Sequence, residues 1–335
     1  MKSGRYVAVA AAACMGWVQG ACAQAEWKLA TGYGAGSFQT ENIRRFAQDV
    51  QTATAARVRI AVHPNNMLVP MAGIRQEVAS GAIEAGEVIL SSLAAQMPLA
   101  EADSVPFIVG SYADARRLWK YQRPLIEREF ARNGLVVLYA VPWPAQGLYA
   151  RQPVRSTRDL RGLNMRTYNA ATERIAELVG ARPVQVAMTE VGQALAAGRF
   201  ETMVTSSVTG AENRVSAHLK YFYAIYAWMP KNIVFLNRRA FDALAPADRD
   251  VVLKAAEAAE ARGWAMSEDA DRQALAQLAK EGMTVEPAPL ELRQELRRYG
   301  ERFSLEWLRK VPQEANLLFV PYFTGYQAAS SAAAR

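Results

Sequence analysis

The feature that most limits the possible folds is the alternation of short apolar runs with longer amphipathic stretches along the 335 residues. Short apolar runs are typical of strands buried in a sheet, and the longer stretches have helical spacing. The alternation forms two blocks, and the chain crosses between them near residues 142–144 and again within residues 221–236. This order predicts an α/β protein with two lobes and a ligand cleft between them.

The expected division follows from the two crossings and from a helical stretch that starts at Pro246 and ends near Gly282. Its length suggests a C-terminal spine helix across both lobes. Residues 112–133 are expected to form two helices, the second started by Pro124, and a last helical pair is expected within 290–309. The predicted units are a signal peptide at 1–23, lobe I at 24–148 plus 236–273, lobe II at 149–235 plus 274–327, and a disordered tail at 328–335.

The N-terminus has the three parts of a secretory signal peptide. Lys2 and Arg5 provide positive charge, an alanine-rich apolar core follows, and residues 21–23 have the small side chains of a cleavage site. We expect Sec-type export to the periplasm with cleavage after Ala23. Lipid attachment at Cys22 is a less favoured alternative, because the residues before it lack the usual aliphatic one.

Composition argues against several classes of function. Both cysteines lie in the segment expected to be removed, which excludes thiol catalysis and disulfides in the mature chain. The net charge of +7 comes from scattered rather than clustered arginines, so no nucleic-acid partner is expected. His63 and His218 are far apart, and serine or zinc hydrolase motifs are absent from the sequence. We therefore expect no catalytic residue, no metal site and no cofactor.

The segment 163–168 carries the clearest sign of a ligand site. In a strand with alternating side chains, Asn164, Arg166 and Tyr168 point to the same face. A guanidinium presents a planar fork of donors that matches a carboxylate. We expect Arg166 to bind the carboxylate of a small organic acid. The alternative is an arginine on a solvated strand face.

Other candidates follow from where strands are expected to end, because ligands of open α/β sheets collect at the carboxyl ends of strands. A glycine-rich loop after the first strand lacks G-x-G-x-x-G spacing and is interpreted as a pocket wall rather than a phosphate cradle. Glu87, at the start of an expected strand over 86–92, is interpreted as a pairing or hydrogen-bonding group rather than a catalytic acid. The candidates from these segments are Tyr33, Phe38, Glu87, Ser91, Thr205, Ser206 and Ser207.

Several of these segments resemble the solute-binding proteins of tripartite ATP-independent periplasmic (TRAP) transporters. Residues 159–166, with the sequence DLRGLNMR, are similar to the family's D-L-K-G-L-K-I-R signature, whose final arginine clamps the ligand carboxylate. Weaker similarities are found at residues 63–65, 80–88 and 105–107, and the resemblance covers most of the chain. It implies a type II-like two-lobed binding protein whose partners are a small carboxylate and TRAP membrane permease subunits.

Three departures from the family pattern bear on the ligand. Gln146 stands where many relatives have an arginine, Thr205 replaces an asparagine, and Met188 replaces an aromatic residue. Fewer charged donors imply a more apolar pocket and a monocarboxylate, with an aromatic acid or a 2-oxo or hydroxy acid expected. The further pocket residues that the resemblance implies are Trp143, Trp228 and Asn232.

The resemblance implies a receptor that closes its lobes around the acid and delivers it to a TRAP-type secondary transporter. Two alternatives remain open from the sequence. The same fold would serve a periplasmic protein that passes its ligand to a sensor, and an α/β scaffold would also serve a periplasmic enzyme.

Overall fold

The computed structural model describes residues 24–333, with side chains described as far as Thr324. The expected signal peptide and its cleavage site lie outside the described residues. The strands are β1 Ala25–Thr31, β2 Val58–His63, β3 Ala85–Ile89, β4 Leu135–Pro142, β5 Gly147–Ala150, β6 Asn164–Thr167, β7 Arg182–Gln185, β8 Thr202–Thr205, β9 Tyr221–Ala224, β10 Lys231–Asn237 and β11 Thr284–Pro287. The α-helices are α1 Phe38–Ala53, α2 Met71–Ser80, α3 Tyr112–Arg132, α4 Ala170–Leu178, α5 Val191–Ala196, α6 Ser207–Glu212, α7 Arg238–Asp242, α8 Pro246–Lys280, α9 Leu290–Lys310 and α10 Pro312–Ala333.

The strands form two sheets, each covered by helices, which gives the two-lobed α/β architecture that the sequence predicts. The sheet of lobe I has the order β2-β1-β3-β10-β4, and that of lobe II has the order β11-β9-β5-β8-β6-β7. In lobe I, β1 pairs in parallel with β2 and β3, while β10 runs antiparallel to β3 and β4. All five residues of β3 are buried, as expected for a strand covered on both faces.

The chain crosses between the two sheets three times in the described residues. It leaves β4 and enters β5 through residues 143–146, and it returns from β9 to β10 through residues 225–230. The third crossing runs from β10 through α7 and α8 to β11 of the lobe II sheet. The lobe boundaries were expected after residues 148 and 235. At both places the chain changes from one sheet to the other a few residues earlier, and the boundaries stay predictions.

Helix α8 confirms the predicted spine, since it packs on both lobes. Near its middle, Asn42 of α1 donates a hydrogen bond to the Ala259 carbonyl at 2.9 Å. A Cβ at Gly263 would lie 2.4 Å from a methyl group of Val141, so the glycine lets α8 approach β4 closely. Farther along, Ala274 and Leu278 are buried in the core of lobe II.

Two helical predictions and one strand prediction need correction. Residues 112–132 form one helix, not two, because the apolar face of Leu118, Ile126 and Phe130 stays buried on both sides of Pro124 and outweighs the lost backbone hydrogen bond. The expected pair over 290–309 is the single helix α9. The expected strand over 86–92 ends at Ile89, where the Ser92 hydroxyl donates to the Ile89 carbonyl and the chain turns into a short 3₁₀ helix.

The C-terminal helices differ most from the expected division. Leu292 and Leu296 of α9 are buried in lobe II, whereas Trp307 of α9 and Leu318 of α10 are buried in the lobe I core beside α3. The chain thus returns to lobe I, although residues 274–327 were expected in lobe II. The predicted tail at 328–335 falls on the last turns of α10 and on two residues outside the described range, and it stays a prediction. In the described part of the chain, no helix combines the length and the apolar character required to cross a bilayer.

Candidate functional site

A cavity of about 710 Å³ is lined by residues of both lobes, and we call it the cleft cavity. Its volume lies within the roughly 300–1,000 Å³ typical of small-molecule sites. The predicted site residues that line it are Tyr33, Ser91, Trp143, Gln146, Arg166, Tyr168, Met188, Thr205 and Ser206. The predicted residues that are not part of its lining are Phe38, Glu87, Ser207, Trp228 and Asn232.

Arg166 is the buried cation of the cleft cavity. It lies on β6, which is flanked by β8 and β7, so its side chain leaves the sheet toward the cavity and is only 2% exposed. Its Nε donates to the Val186 carbonyl at 3.0 Å, and its guanidinium carbon lies 4.9 Å from the centre of the Tyr168 ring. The terminal nitrogens have no carboxylate partner among the described residues. Burial lowers the pKa of Arg166 to about 10, so the group stays charged at neutral pH.

Tyr168 is held beside Arg166 by two side chains. Its hydroxyl donates to Gln146 Oε1 at 3.0 Å and accepts from the indole nitrogen of Trp228 at 3.2 Å. The Gln146 amide nitrogen donates to the Pro144 carbonyl at 2.8 Å, which fixes the amide in turn. Trp228 therefore acts on the cavity through Tyr168. At the position where the resemblance implies an arginine, the cavity has the neutral amide of Gln146, whose nitrogen is engaged with Pro144.

The opposite wall is aromatic and comes from lobe I and the first crossing. The ring centres of Tyr33 and Trp143 lie 5.2 Å apart. The Phe38 ring packs edge-on against Trp143, also with 5.2 Å between ring centres. Asn232 accepts hydrogen bonds from both Tyr33 and Trp143 and donates one to Glu87. Phe38, Glu87 and Asn232 thus support this wall and do not line the cavity. Burial raises the pKa of the Glu87 carboxyl to about 7.

The hydroxyl groups at the end of β8 have different roles. Thr205 and Ser206 line the cavity, and Ser206 also caps α6 by accepting a hydrogen bond from the Thr209 amide at 3.1 Å. Ser207 turns away and donates to Asp271 of the spine helix. The prediction that all three hydroxyls face the ligand is therefore wrong for Ser207, because successive residues leave a strand end in different directions.

The sequence reasoning missed Asn169. Its side-chain oxygen caps α4 by accepting from the Thr172 amide at 2.9 Å, while its amide nitrogen donates to Ser91 of lobe I, also at 2.9 Å. This bond joins the two lobes at the edge of the cavity. An asparagine before a helical stretch signals a cap, but only the packing of the lobes reveals the second contact.

The mouth of the cavity also has residues that the sequence did not indicate. Helix α2 contributes Met71 and the half-buried Arg75, and the exposed Glu190 lies on the opposite side. Arg75 and Arg166 are thus the cations of the lining, and only Arg166 is buried. No cluster of His, Cys, Asp or Glu within residues 24–333 is arranged to hold a metal ion.

Comparison with known proteins shows a consistent set of relatives. The family model DctP, bacterial extracellular solute-binding protein family 7, matches residues 29–306. A solute-binding protein of Albidiferax ferrireducens is 24% identical over 224 residues, which are 65% of this chain and 66% of that relative. That match therefore spans just under two thirds of the relative's length.

Solved structures give closer matches. DctP6 of Bordetella pertussis, an extracytoplasmic solute receptor binding pyroglutamic acid, is 35% identical with a TM-score of 0.87, covering 89% of this chain and 99% of that one. A TRAP solute-binding protein from a marine metagenome, solved with co-purified pyroglutamate, is 33% identical with a TM-score of 0.87, covering 90% and 99%.

Proposed function

Because the chain belongs to the bacterial extracellular solute-binding protein family 7, we propose that it is a receptor for a small monocarboxylate, with pyroglutamate as the first candidate. Receptors of this family bind small acids outside the cytoplasm and work with TRAP membrane permease subunits. The open points are therefore which acid this chain binds and which of its residues bind it.

The observation that carries the proposal is the state of Arg166. A buried charge without a partner is costly, and the cost is removed when an opposite charge enters the same site. The terminal nitrogens of Arg166 have no carboxylate partner in the described structure, and the residue lines the cleft cavity. A ligand carboxylate would supply the missing charge through two parallel hydrogen bonds.

The rest of the lining favours a ligand with one carboxylate. Gln146 is neutral and Arg75 is half-buried at the mouth, so a second buried carboxylate would have no cation to pair with. The rings of Tyr33 and Trp143, with centres 5.2 Å apart and planes tilted by 46°, offer an aromatic wall. These features suit a compact acid with one carboxylate and a partly apolar body.

The relatives support a specific member of that class. Two solved structures at 33–35% identity bind pyroglutamate, whose single carboxylate is attached to a five-membered lactam ring. The ring would pack on the aromatic wall, and its amide would meet hydroxyl groups such as Thr205. Aromatic, 2-oxo and hydroxy acids, which the sequence favours, share the single carboxylate and are the competing candidates.

Binding would be coupled to closure of the lobes. The Asn169–Ser91 hydrogen bond joins lobe II to lobe I, and closing the cleft excludes water from the ion pair, which strengthens it. The closed form would then deliver its acid to the permease in the membrane. No proton transfer or covalent step is required of any residue.

The proposal is tested by calorimetric titration of the mature protein after bound ligand has been removed by unfolding and refolding. The panel is L-pyroglutamate, phenylacetate, pyruvate, L-lactate, succinate and D-glucuronate. We expect L-pyroglutamate to bind most tightly with one site per chain. Arg166→Ala should abolish most of this affinity, while Arg75→Ala, a control arginine of the same cavity, should keep it within threefold.

Two results would overturn the proposal. Tighter binding of succinate, the dicarboxylate of the panel, than of every monocarboxylate would exclude the single-carboxylate site. Chemical conversion of the bound acid during incubation, detected by mass spectrometry, would exclude a simple receptor and favour the enzyme alternative.

A further inference from the structure

Asn232 is the common acceptor of two aromatic side chains that form the cavity wall. Its side-chain oxygen accepts a hydrogen bond from the Tyr33 hydroxyl at 3.1 Å and one from the Trp143 indole nitrogen at 2.8 Å. Tyr33 belongs to the loop after β1, Trp143 to the first crossing and Asn232 to β10, so one buried oxygen joins three separate segments. Turning the Trp143 ring breaks its bond, and the Tyr33 hydroxyl cannot move away from Asn232 without losing its own.

Glu87 determines which end of the Asn232 amide faces the rings. The Asn232 amide nitrogen donates to Glu87 Oε1 at 2.8 Å, and the Thr31 hydroxyl donates to Glu87 Oε2 at 2.5 Å. If the amide turned over, its NH₂ group would face two other donors and its oxygen would face the carboxylate. Glu87, which is only 1% exposed, therefore excludes the wrong orientation.

We propose that Glu87 and Asn232 are positioning residues for the ligand body: Glu87 orients the Asn232 amide, and the amide oxygen holds Tyr33 and Trp143 as one rigid wall. The proposal deepens the proposed function and rests on it for the ligand. It also assigns a role to two residues that the sequence indicated but that do not line the cavity.

The arrangement has a consequence for selectivity. The indole N–H of Trp143 is used by Asn232, so this residue presents an apolar ring face to the ligand. The Tyr33 hydroxyl has donated its proton and keeps only acceptor capacity. The wall therefore accepts an apolar ring surface, or a ligand N–H or O–H aimed at Tyr33, and disfavours an acceptor group there, which would remain unpaired.

The first arm of the test uses ligand-free protein and a spectroscopic signature. The indole N–H signal of Trp143 is assigned in a nitrogen-15 NMR spectrum as the signal lost in Trp143→Phe. In Asn232→Leu this signal should move upfield and its exchange with solvent should quicken. In Glu87→Gln it should stay near its wild-type position, because glutamine still offers an oxygen to the Asn232 amide, whereas Glu87→Leu should move it.

The second arm measures the affinity for L-pyroglutamate. We expect a loss of tenfold or more in Asn232→Leu and Glu87→Leu and a change of less than threefold in Glu87→Gln. Tyr33→Phe, which deletes only one donor to Asn232, should lower the affinity several-fold. If Asn232→Leu does not fold, Asn232→Ala removes the same oxygen and adds no bulk, and the same changes are expected of it.

An unchanged indole signal in folded Asn232→Leu, or Asn232→Ala in its place, would overturn the proposal. An affinity of the same variant for L-pyroglutamate within twofold of the wild-type value would also overturn it. Failure of wild-type protein to bind L-pyroglutamate would count against the proposed ligand instead, since the NMR arm needs no ligand and would still decide whether the wall is fixed in this way.

Discussion

Replacing Arg166 with methionine should separate ligand affinity from stability. The guanidinium is buried without a carboxylate partner among the described residues, and burial lowers its pKa from the ordinary value to about 10. A lowered pKa means that folding disfavours the charged form, and a shift of this size corresponds to about 3 kcal/mol. Methionine removes that cost and has similar length, at the loss of one hydrogen bond to Val186 worth about 1 kcal/mol.

The expected result is a variant that is more stable and nearly inactive. The free energy of unfolding of ligand-free Arg166→Met should equal or exceed that of the wild type by about 1–2 kcal/mol, which follows from the two magnitudes above. Its affinity for L-pyroglutamate should fall by about 2–5 kcal/mol, or roughly thirty-fold to several-thousand-fold, as when one partner of a buried charge pair is removed. Urea unfolding and calorimetric titration measure the two quantities independently.

The matched control is Arg75→Met, which removes a half-buried arginine at the mouth of the same cavity. It should change the free energy of unfolding by less than about 1 kcal/mol and the affinity by less than threefold, as is usual for surface substitutions. The reasoning is refuted if Arg166→Met binds the acid within threefold of wild type. A clear loss of stability would also refute it, because Arg166 would then be a structural residue.

Three further predictions follow from neighbouring contacts. Asn169→Ser keeps the helix cap but loses the N–H that donates to Ser91. The dissociation rate of L-pyroglutamate, measured by stopped flow, should therefore rise several-fold while the free energy of unfolding stays nearly unchanged. An unchanged dissociation rate would show that this hydrogen bond does not hold the lobes together. Gln146→Arg adds a second cation to the cavity and should raise the affinity for succinate relative to L-pyroglutamate at least tenfold by calorimetry, and an unchanged ratio would contradict the explanation of the single-carboxylate site. The pKa of Glu87 is raised by burial from 4.5 to about 7, so its contribution to stability is full below pH 4.5 and is lost as the pH rises through about 7. Urea unfolding from pH 4.5 to 8 should therefore show the wild type losing about 3 kcal/mol relative to Glu87→Gln, and parallel curves would show that the carboxyl is ionised throughout.

The sequence was sufficient for features that depend on local pattern. Period-2 alternation in β6 indicated that Arg166 and Met165 face opposite sides, and the structure buries Met165 in the lobe II core while Arg166 lines the cavity. The uninterrupted helical pattern after Pro246 predicted the spine helix, which ends at Lys280. Both features need only the spacing of side chains along one element.

The features that were missed depend on tertiary contacts. Pro124 marked a helix start in the sequence, but burial of the residues around it keeps α3 continuous. The sequence also indicated that Glu87 and Asn232 belong to the site, without revealing that Tyr33 and Trp143 stand between them and the cavity. The burial of Glu87 and Asn232 behind this wall arises from packing within lobe I and the first crossing. The contact between Asn169 and Ser91 arises only when the two lobes pack together.

The most direct test of the central claim, that Arg166 binds the single carboxylate of a small acid in the cleft cavity, is a crystal structure of the complex with L-pyroglutamate. The carboxylate oxygens should lie within about 3 Å of the Arg166 terminal nitrogens, the usual length of a charge-assisted hydrogen bond, with the lactam ring against Trp143. A carboxylate bound at Arg75, or a ligand outside the cleft cavity, would contradict the claim.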